Sequence, residues 1–268
     1  MVERAEMILT GTEIVMRAVG VSRAVIGVEN NKPDAIAHLR EVIARDNYKG
    51  IEVMPLKMRY PQGGEKQLIA AVTGRQVPPP PALPISVGAV VCNVSTAIAI
   101  YEAVQKNKPL IERVITVTGS AVPQPKNLLT RFGTPIDSLI AKCGGLAEGD
   151  VKVINGGPMM GRALSNIAMP AMKGCSGVTI MVGDAAKRGA ESACIKCAKC
   201  VEACPMGLEP YLLSKQARKK AWEAMESNDI TSCIECGCCS FTCPAKIPLI
   251  QYMRLGKQKV NEMKRGGK

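Results

Sequence analysis

Eight cysteines in the C-terminal third of the chain form two groups with the same spacing. Each group reads C-x2-C-x2-C-x3-C and is followed by proline. The groups are Cys194, Cys197, Cys200 and Cys204, and then Cys233, Cys236, Cys239 and Cys243. This spacing is typical of chains that bind two [4Fe–4S] clusters, because each iron of a cluster takes one thiolate.

The last cysteine of each group is predicted to bind the cluster of the other group. Three closely spaced cysteines on one loop reach three corners of a cube, but a short loop cannot also encircle the fourth. In two-cluster proteins the cysteine before proline serves the opposite cluster. We therefore predict two crossed sets: Cys194, Cys197, Cys200 and Cys243 at one cluster, and Cys233, Cys236, Cys239 and Cys204 at the other.

A zinc-stabilised scaffold is an alternative from a different class of protein. Four-thiolate zinc sites usually pair two short C-x2-C segments across a longer gap. Two complete four-cysteine runs match that arrangement poorly, so iron–sulfur chemistry is favoured. Cys238 would break the C-x2-C spacing as a ligand, so it is expected to be unligated. The scattered Cys92, Cys143 and Cys175 have no partner motif and are expected to be buried small apolar side chains.

Composition limits the compartment and the partners. The 268 residues are 47% hydrophobic, yet no apolar run approaches the ~20 residues of a membrane-spanning helix. The first residues lack the apolar stretch of a signal peptide, so we expect a cytoplasmic protein. The net charge of +12 suits an anionic membrane surface or an acidic protein. Nucleic acid is not expected, because no basic stripe alternates with aromatic residues.

The residues before the cysteines predict an α/β region followed by a small α+β region. The first alternates helices over 1–20 and 34–46 with strands over 21–28 and 50–56, which favours a parallel sheet. A short helix to residue 71, a proline-rich linker over 78–84, a strand over 87–92 and a helix over 94–105 follow. A small α+β region comes next. Its predicted elements are strands over 114–117, 151–154 and 177–182, a turn over 130–134 and a helix over 136–143.

Three further segments complete the prediction. Residues 156–161 (GGPMMG) form either a tight loop filled by methionine or a close approach to a partner or cofactor, and the sequence favours neither. One helix is expected over 210–226, between the two cysteine groups. The tail over 257–268 is basic and is expected to be frayed.

Four stretches outside and within the cysteine groups resemble a known family. They are YPQGGEKQLI at 60–69, VCNVSTAIAIYEAV at 91–104, NGGPMMG at 155–161 and CIECGCCSFTCPAKIPL at 233–249. The chain resembles, along essentially its whole length, the C subunits of Rnf complexes, the ion-translocating ferredoxin:NAD⁺ oxidoreductases. Its middle region is similar, more distantly, to the flavin-bearing NADH-oxidising subunit of respiratory complex I.

The resemblance implies α/β plus small α+β architecture in three domains. A partial Rossmann-like flavin/NADH domain would span 1–109, and a β-grasp-like soluble-ligand-binding domain would span 110–185. An α-helical ferredoxin domain with two 4Fe-4S clusters would span 186–256, followed by the basic tail. The resemblance also implies FMN as a cofactor, NAD(H) as the substrate, and other Rnf subunits as partners at the cytoplasmic side of the membrane. Ferredoxin would be an indirect partner.

Two elements match the family's flavin and nucleotide contacts. Gly63, Gly64 and Glu65 match a Gly-Glu element beside flavin and nicotinamide, whereas the residues alone indicate a turn. Asn93 and Thr96 match an Asn-x-x-Thr element near the flavin phosphate, whereas Asn93 alone indicates a helix N-cap.

The family's Gly-rich flavin loop has no counterpart here, so we expect an incomplete flavin site. The resemblance implies an electron-transfer subunit that passes electrons between NAD(H), FMN and two clusters. The complex would couple this transfer to ion transport and be an enzyme, a translocase. The alternative is a truncated iron–sulfur wiring module without flavin or nucleotide.

Overall fold

The computed structural model describes residues 1–266 and divides into two compact units, Met1–Leu110 and a second that begins at Ile111. The first unit contains two parallel strands and four α-helices. In chain order its elements are α1 (Ala5–Val19), β1 (Ala24–Glu29), α2 (Pro33–Arg45), β2 (Ile51–Leu56), α3 (Glu65–Thr73) and α4 (Val94–Lys106). The predicted helix–strand–helix–strand order and its parallel sheet are confirmed.

The core of the first unit lies between the helices and the β1–β2 pair. Leu9 and Leu39 are fully buried there, together with Ile8 and Val42. Gly11 allows α1 and α4 to approach closely, because a Cβ at this position would lie 2.0 Å from the carbonyl oxygen of Ala97.

The strand predicted over 87–92 is wrong. Pro84–Val87 forms a short 3₁₀ helix that ends at Gly88 in the left-handed conformation (φ +68°). The segment after it lacks regular structure, and Val90 is 56% exposed. A run of apolar residues therefore predicted a buried strand where no neighbouring strand is available for pairing.

The second unit begins with a five-stranded mixed sheet. Its elements are β3 (Glu112–Thr118), β4 (Lys126–Arg131), α5 (Ile136–Lys142), β5 (Val151–Asn155), β6 (Arg162–Ala163) and β7 (Gly177–Val182). The strand order is β4-β3-β7-β5-β6. Ile115, Ile136 and Ile180 are fully buried where α5 packs on this sheet. The turn was predicted over 130–134, but in the structure it begins two residues later, because Thr130 and Arg131 still belong to β4 and pair with β3.

The cysteine-rich part of the second unit is helical. Its helices are α6 (Lys199–Glu202), α7 (Pro210–Arg218), α8 (Trp222–Ser227), α9 (Cys238–Phe241) and α10 (Leu249–Gly266). The single helix predicted over 210–226 is wrong, since it breaks at Lys220, which adopts a left-handed conformation (φ +55°). The break lets Met225 of α8 pack beside Leu213 of α7 in one core.

The expectation of a frayed tail is wrong for residues 257–266. They continue α10, and Val260 is fully buried in the core that also holds Met253. Apolar residues at helical spacing along one face of α10 outweigh the basic residues on the other. The remainder of the predicted tail, residues 267 and 268, lies outside the described residues. Among the helices of residues 1–266, none has the length and apolarity needed to cross a membrane.

Candidate iron–sulfur and flavin sites

The two cysteine groups lie in two copies of one loop-and-helix unit, with Cys194 and Cys233 at equivalent positions 39 residues apart. The same offset relates α6 to α9 and the start of α7 to the start of α10. It also relates three pairs of residues with positive φ: Lys196 and Glu235 (56° and 57°), Ala198 and Gly237 (58° and 84°), and Gly207 and Lys246 (66° and 55°). The repeated backbone conformation shows that both loops are built to the same plan.

Left-handed residues between cysteines suit an anionic cluster. Alternation of right-handed and left-handed residues turns successive backbone N–H groups toward one side, and such concave N–H arrays bind anions, including iron–sulfur clusters. The N–H of Glu235 already lies 3.4 Å from the sulfur of Cys233. The strain of non-glycine residues at positive φ is thus explained by the ligand that these loops would hold.

The first set of cysteines surrounds an open cavity of about 240 Å³. Cys194, Cys197, Cys200 and Cys243 line it together, so the cysteine before proline comes from the other group. Cys194 and Cys197 are exposed and the other two are half-buried. The predicted residues are therefore brought together in the predicted crossed set, although their role as ligands stays a prediction.

The second set lies deeper in the fold. Cys204, Cys233, Cys236 and Cys239 line one cavity, again with one member from the opposite group. Cys236 and Cys239 are buried. This cavity measures only about 20 Å³, which is roughly the space of one water. The donor set suits a cluster.

The thiols of the first set border an open cavity. Such a lining suits a ligand that fills the space between the thiols, as a cube of iron and sulfide does.

Burial controls the ionisation of these thiols. Burial first, and then the neighbouring thiols of Cys233 and Cys236, raise the pKa of Cys239 to about 12. Burial also raises the pKa of Cys200 and Cys233. Thiolates in such surroundings need nearby positive charge, which iron supplies when it binds.

A charged network braces the loop of the second set, and the sequence analysis missed it. The Glu235 carboxylate pairs with Arg254 at 3.2 Å and with Lys257 at 3.4 Å. The Lys257 ammonium also donates to the backbone carbonyl of Cys233 at 2.7 Å. All three charged side chains are about one-third exposed or less. The 39-residue offset between the two cysteine groups was the available sequence signal. It aligns Glu235, Arg254 and Lys257 with Lys196, Lys215 and Arg218, so that charged residues recur at the same three positions of both halves.

The GGPMMG loop at 156–161 packs against the same cluster-binding loop. A Cβ on Gly237 would lie 2.6 Å from the carbonyl oxygen of Met159. Arg254 donates to the carbonyl oxygen of Met160 at 2.9 Å. Residues 156–161 form a tight turn, in which the N–H of Gly161 donates to the carbonyl oxygen of Gly157 at 2.8 Å, and this loop packs against the chain's own second cysteine loop. The approach to a partner or cofactor stays a prediction.

The flavin and nucleotide candidates lie at the N-termini of two helices. Gly64 is the N-cap of α3, which begins at Glu65. Asn93 is the N-cap of α4 and its Oδ1 accepts from the N–H of Ser95 at 2.9 Å; the hydroxyl-bearing Thr96 lies in the same exposed first turn. The cap indicated by the residues alone is therefore present at Asn93. Helix N-termini favour phosphate, so this placement is compatible with an FMN phosphate.

Gly63 is not explained by the protein's own packing. No atom lies within 4 Å of a Cβ built there, and its φ is not in the left-handed region. Glu65 is exposed next to it. A glycine that neither packing nor backbone requires is consistent with the close approach of a flat ring.

The remaining cysteines separate into two kinds. Cys143 and Cys175 are buried in the core of the mixed sheet, as expected for small apolar side chains. Cys238 is half-buried beside Cys236, and burial followed by this neighbour raises its pKa to about 11. Cys92 differs from the expectation of burial because it is exposed, one residue before the N-cap of α4.

Three family models match successive parts of the chain. Residues 1–102 match the Nuo51 FMN-binding domain, residues 114–163 match the SLBB domain, and residues 193–247 match a 4Fe-4S dicluster domain. The loop at 156–161 thus lies entirely within the SLBB segment, and both crossed cysteine sets lie within the dicluster segment.

Relatives of the chain are C subunits of ion-translocating complexes. The C subunit of the proton-translocating ferredoxin:NAD(+) oxidoreductase complex of Clostridium ljungdahlii is 44% identical over 95% of this chain and 55% of its own length. The Na(+)-translocating counterpart of Acetobacterium woodii is 43% identical over 100% and 60%. The C subunit of the ion-translocating oxidoreductase complex of Rhodobacter capsulatus is 38% identical over 97% and 50%. The chain therefore spans about half to three fifths of the length of these relatives.

A solved structure shows the same fold at low sequence identity. An NAD⁺-reducing [NiFe]-hydrogenase in the H₂-reduced state matches with a TM-score of 0.60 and 17% identity, over 96% of this chain and 52% of that one. The three successive matches define the class of proteins that combine an FMN-binding domain, an SLBB domain and a 4Fe-4S dicluster domain. Within that class, the chain is similar over 95–100% of its length to C subunits of ion-translocating ferredoxin:NAD⁺ oxidoreductase complexes.

Proposed function

We propose that the chain is the electron-transfer part of a C subunit in a membrane-associated ferredoxin:NAD⁺ oxidoreductase. It passes electrons between NAD(H) with FMN and two [4Fe–4S] clusters, while the complex couples the flow to ion transport. The observation that supports this most is the crossed grouping of eight cysteines around two cavities. The names of the relatives support other subunits of such a complex as partners. The proposal also places the chain peripherally at the cytoplasmic side of the membrane, as the family resemblance implies.

In this proposal the fold is partly Rossmann-like in the first unit, β-grasp-like around β3–β7 and ferredoxin-like in the helical part. The parallel β1–β2 pair with flanking helices supports the first name. The mixed five-stranded sheet that packs on α5 supports the second. The two loop-and-helix copies support the third.

The chain's own residues would hold and orient the cofactors. Bound FMN converts the two-electron chemistry of NAD(H) into one-electron transfers, which the clusters relay. Gly63 and Gly64 would let a ring approach the backbone, and Glu65 would accept a hydrogen bond from a ribose hydroxyl or the nicotinamide amide. Asn93 and Thr96 would place N–H and hydroxyl groups near the flavin phosphate. No residue needs to act as an acid or base in cluster-to-cluster transfer.

The cysteine loops would set the properties of the clusters. Backbone N–H groups aimed at the sulfurs, burial of the second set and the covering loop at 156–161 all tune reduction potential. The match of residues 1–102 to an FMN-binding-domain model favours this function over the wiring module without flavin.

The test is NADH-dependent reduction of the clusters. The chain is purified anaerobically, its bound flavin is quantified, and cluster absorbance is followed after NADH is added with and without added FMN. The proposal predicts that bleaching of the cluster absorbance requires FMN. Intact clusters that dithionite reduces but NADH with FMN does not would support the wiring module instead.

A further inference from the structure

The two cysteine sets differ in charge at positions that the 39-residue repeat makes equivalent. In the second half, Glu235 is paired with Arg254 and Lys257. In the first half the equivalent of Glu235 is Lys196, and the equivalent of Arg254 is Lys215. The acid that balances the cations in one half is thus replaced by another cation in the other half.

Three lysines of the first half have no acid partner within the described residues. Within residues 1–266, no carboxylate lies within 4 Å of the ammonium groups of Lys196, Lys199 or Lys215, and all three lysines are exposed. Glu191 is already paired with Arg218. Lys196 and Lys215 both line the cavity of the first cysteine set, so this charge lies directly at the predicted cluster.

The same edge also exposes the ligands and one large apolar side chain. Cys194 and Cys197 are exposed, and Ile195 between them is 67% exposed. Ile195 lines the same cavity as Lys196 and Lys215. An exposed apolar side chain beside cations that lack an acid partner, at the edge of the predicted cluster site, has the character of a protein docking site. A lipid surface would match the charge but offers no redox centre to exchange electrons.

We propose that Ile195, Lys196, Lys199 and Lys215 form a docking surface for an acidic one-electron carrier protein. Carboxylates of the carrier would pair with the lysines beside the first cysteine set, as the Glu235 carboxylate pairs with Arg254 and Lys257 beside the second cysteine set. One electron crosses between the cluster and the carrier, so one is oxidised as the other is reduced, and no bond or proton moves. The inference rests on the proposed function, because it needs a cluster at the first set.

The experiment compares oxidation of the dithionite-reduced, cluster-loaded chain by two small probes of opposite charge. The probes are ferric EDTA, an anion, and hexaammineruthenium(III), a cation, mixed by stopped flow at low salt. The variant Lys196→Glu/Lys215→Glu should be oxidised about tenfold or more slowly by ferric EDTA and faster by the ruthenium complex. A change in cluster potential alone would move both rates in the same direction, so opposite shifts report the local charge.

Two matched variants serve as controls. Lys196→Arg/Lys215→Arg keeps the charge and should keep both rates. Arg265→Glu makes a charge reversal sixteen residues along α10 from Leu249, roughly 24 Å at 1.5 Å per residue, and should also keep both rates. Calorimetric binding of a purified acidic plant-type ferredoxin should be lost in the double-glutamate variant alone.

Three results would overturn the docking surface. Equal rates for the double-glutamate variant and Arg265→Glu would do so, and so would unchanged ferredoxin binding. A third result would assign the surface to a membrane: the chain floats with anionic vesicles only when Lys196 and Lys215 are present, and it does not bind ferredoxin. Iron and sulfide analysis keeps the proposed function separate, because absent clusters would refute that function whatever the charge variants do.

Discussion

Replacement of Gly237 by alanine tests the contact between the loop at 156–161 and the second cysteine set. Gly237 has φ +84°, and an added Cβ would lie 2.6 Å from the carbonyl oxygen of Met159. The equivalent residue of the first half, Ala198, already has a Cβ at φ +58°. The backbone conformation therefore tolerates alanine, and glycine is needed at 237 because of the close approach.

The expected cost combines two effects. Alanine in the left-handed conformation costs about 1–2 kcal/mol. The clash displaces the loop and breaks the hydrogen bond from Arg254 to the Met160 carbonyl, a charged donor worth about 1.5 kcal/mol or more. Gly237→Ala should thus lower the free energy of unfolding by about 3 kcal/mol. Gly207→Ala is the matched control, since its φ is +66° with no atom within 4 Å, and should cost only the backbone part.

The assay follows denaturant unfolding of the cluster-loaded protein under anaerobic conditions, together with the rate at which a chelator removes iron. Gly237→Ala should unfold at lower denaturant than Gly207→Ala and lose iron of the second cluster faster, because the covering loop no longer excludes solvent. Equal midpoints and equal iron loss for the two variants would refute the reasoning that this loop covers the second set.

Three further predictions follow from the site and the fold. Cys243→Ser should remove the exposed cluster bound by Cys194, Cys197 and Cys200, whereas Cys239→Ser should remove the buried cluster. Paramagnetic resonance of the reduced protein should then show one signal in each variant, and the two signals should differ. The same remaining signal in both variants would contradict the crossed assignment of the cysteines. Gly63→Ala should leave thermal stability unchanged, because no atom of the chain lies within 4 Å of the added Cβ. It should weaken FMN binding in a fluorescence titration if the flavin approaches this backbone as proposed; unchanged affinity would exclude that approach. Val260→Ala should lower the free energy of unfolding by about 2 kcal/mol because of the cavity that it leaves. Met263→Ala, at a side chain that is 37% exposed, should lower it by less than about 0.5 kcal/mol. Equal denaturant midpoints for the two variants would contradict the packing of the C-terminal part of α10.

Cysteine spacing predicted the crossed sets because ligand geometry restricts sequence strongly. A cube needs three ligands within one tight loop, so the pattern in the chain and the arrangement in space are tied together. Asn93 was predictable as an N-cap for a similar reason, since its side chain bonds to a backbone group only two residues away. Such features depend on local chemistry alone.

Features that depend on distant contacts were not predictable. The approach of Met159 to Gly237 joins residues far apart in sequence, and a glycine between cysteines indicates only a turn. The strand β4 needed β3 as a partner, and Lys126–Arg131 alone has no clear alternation. The residues over 210–226 favour a continuous helix, yet packing of Met225 beside Leu213 required the break at Lys220.

The most direct test of the central claim is the metal content of the anaerobically purified chain, measured with acid-labile sulfide and with paramagnetic resonance after reduction. Two clusters predict about eight irons and about eight sulfides per chain, with two interacting spins. Stoichiometric zinc without sulfide would contradict the claim and assign the eight cysteines to a structural scaffold.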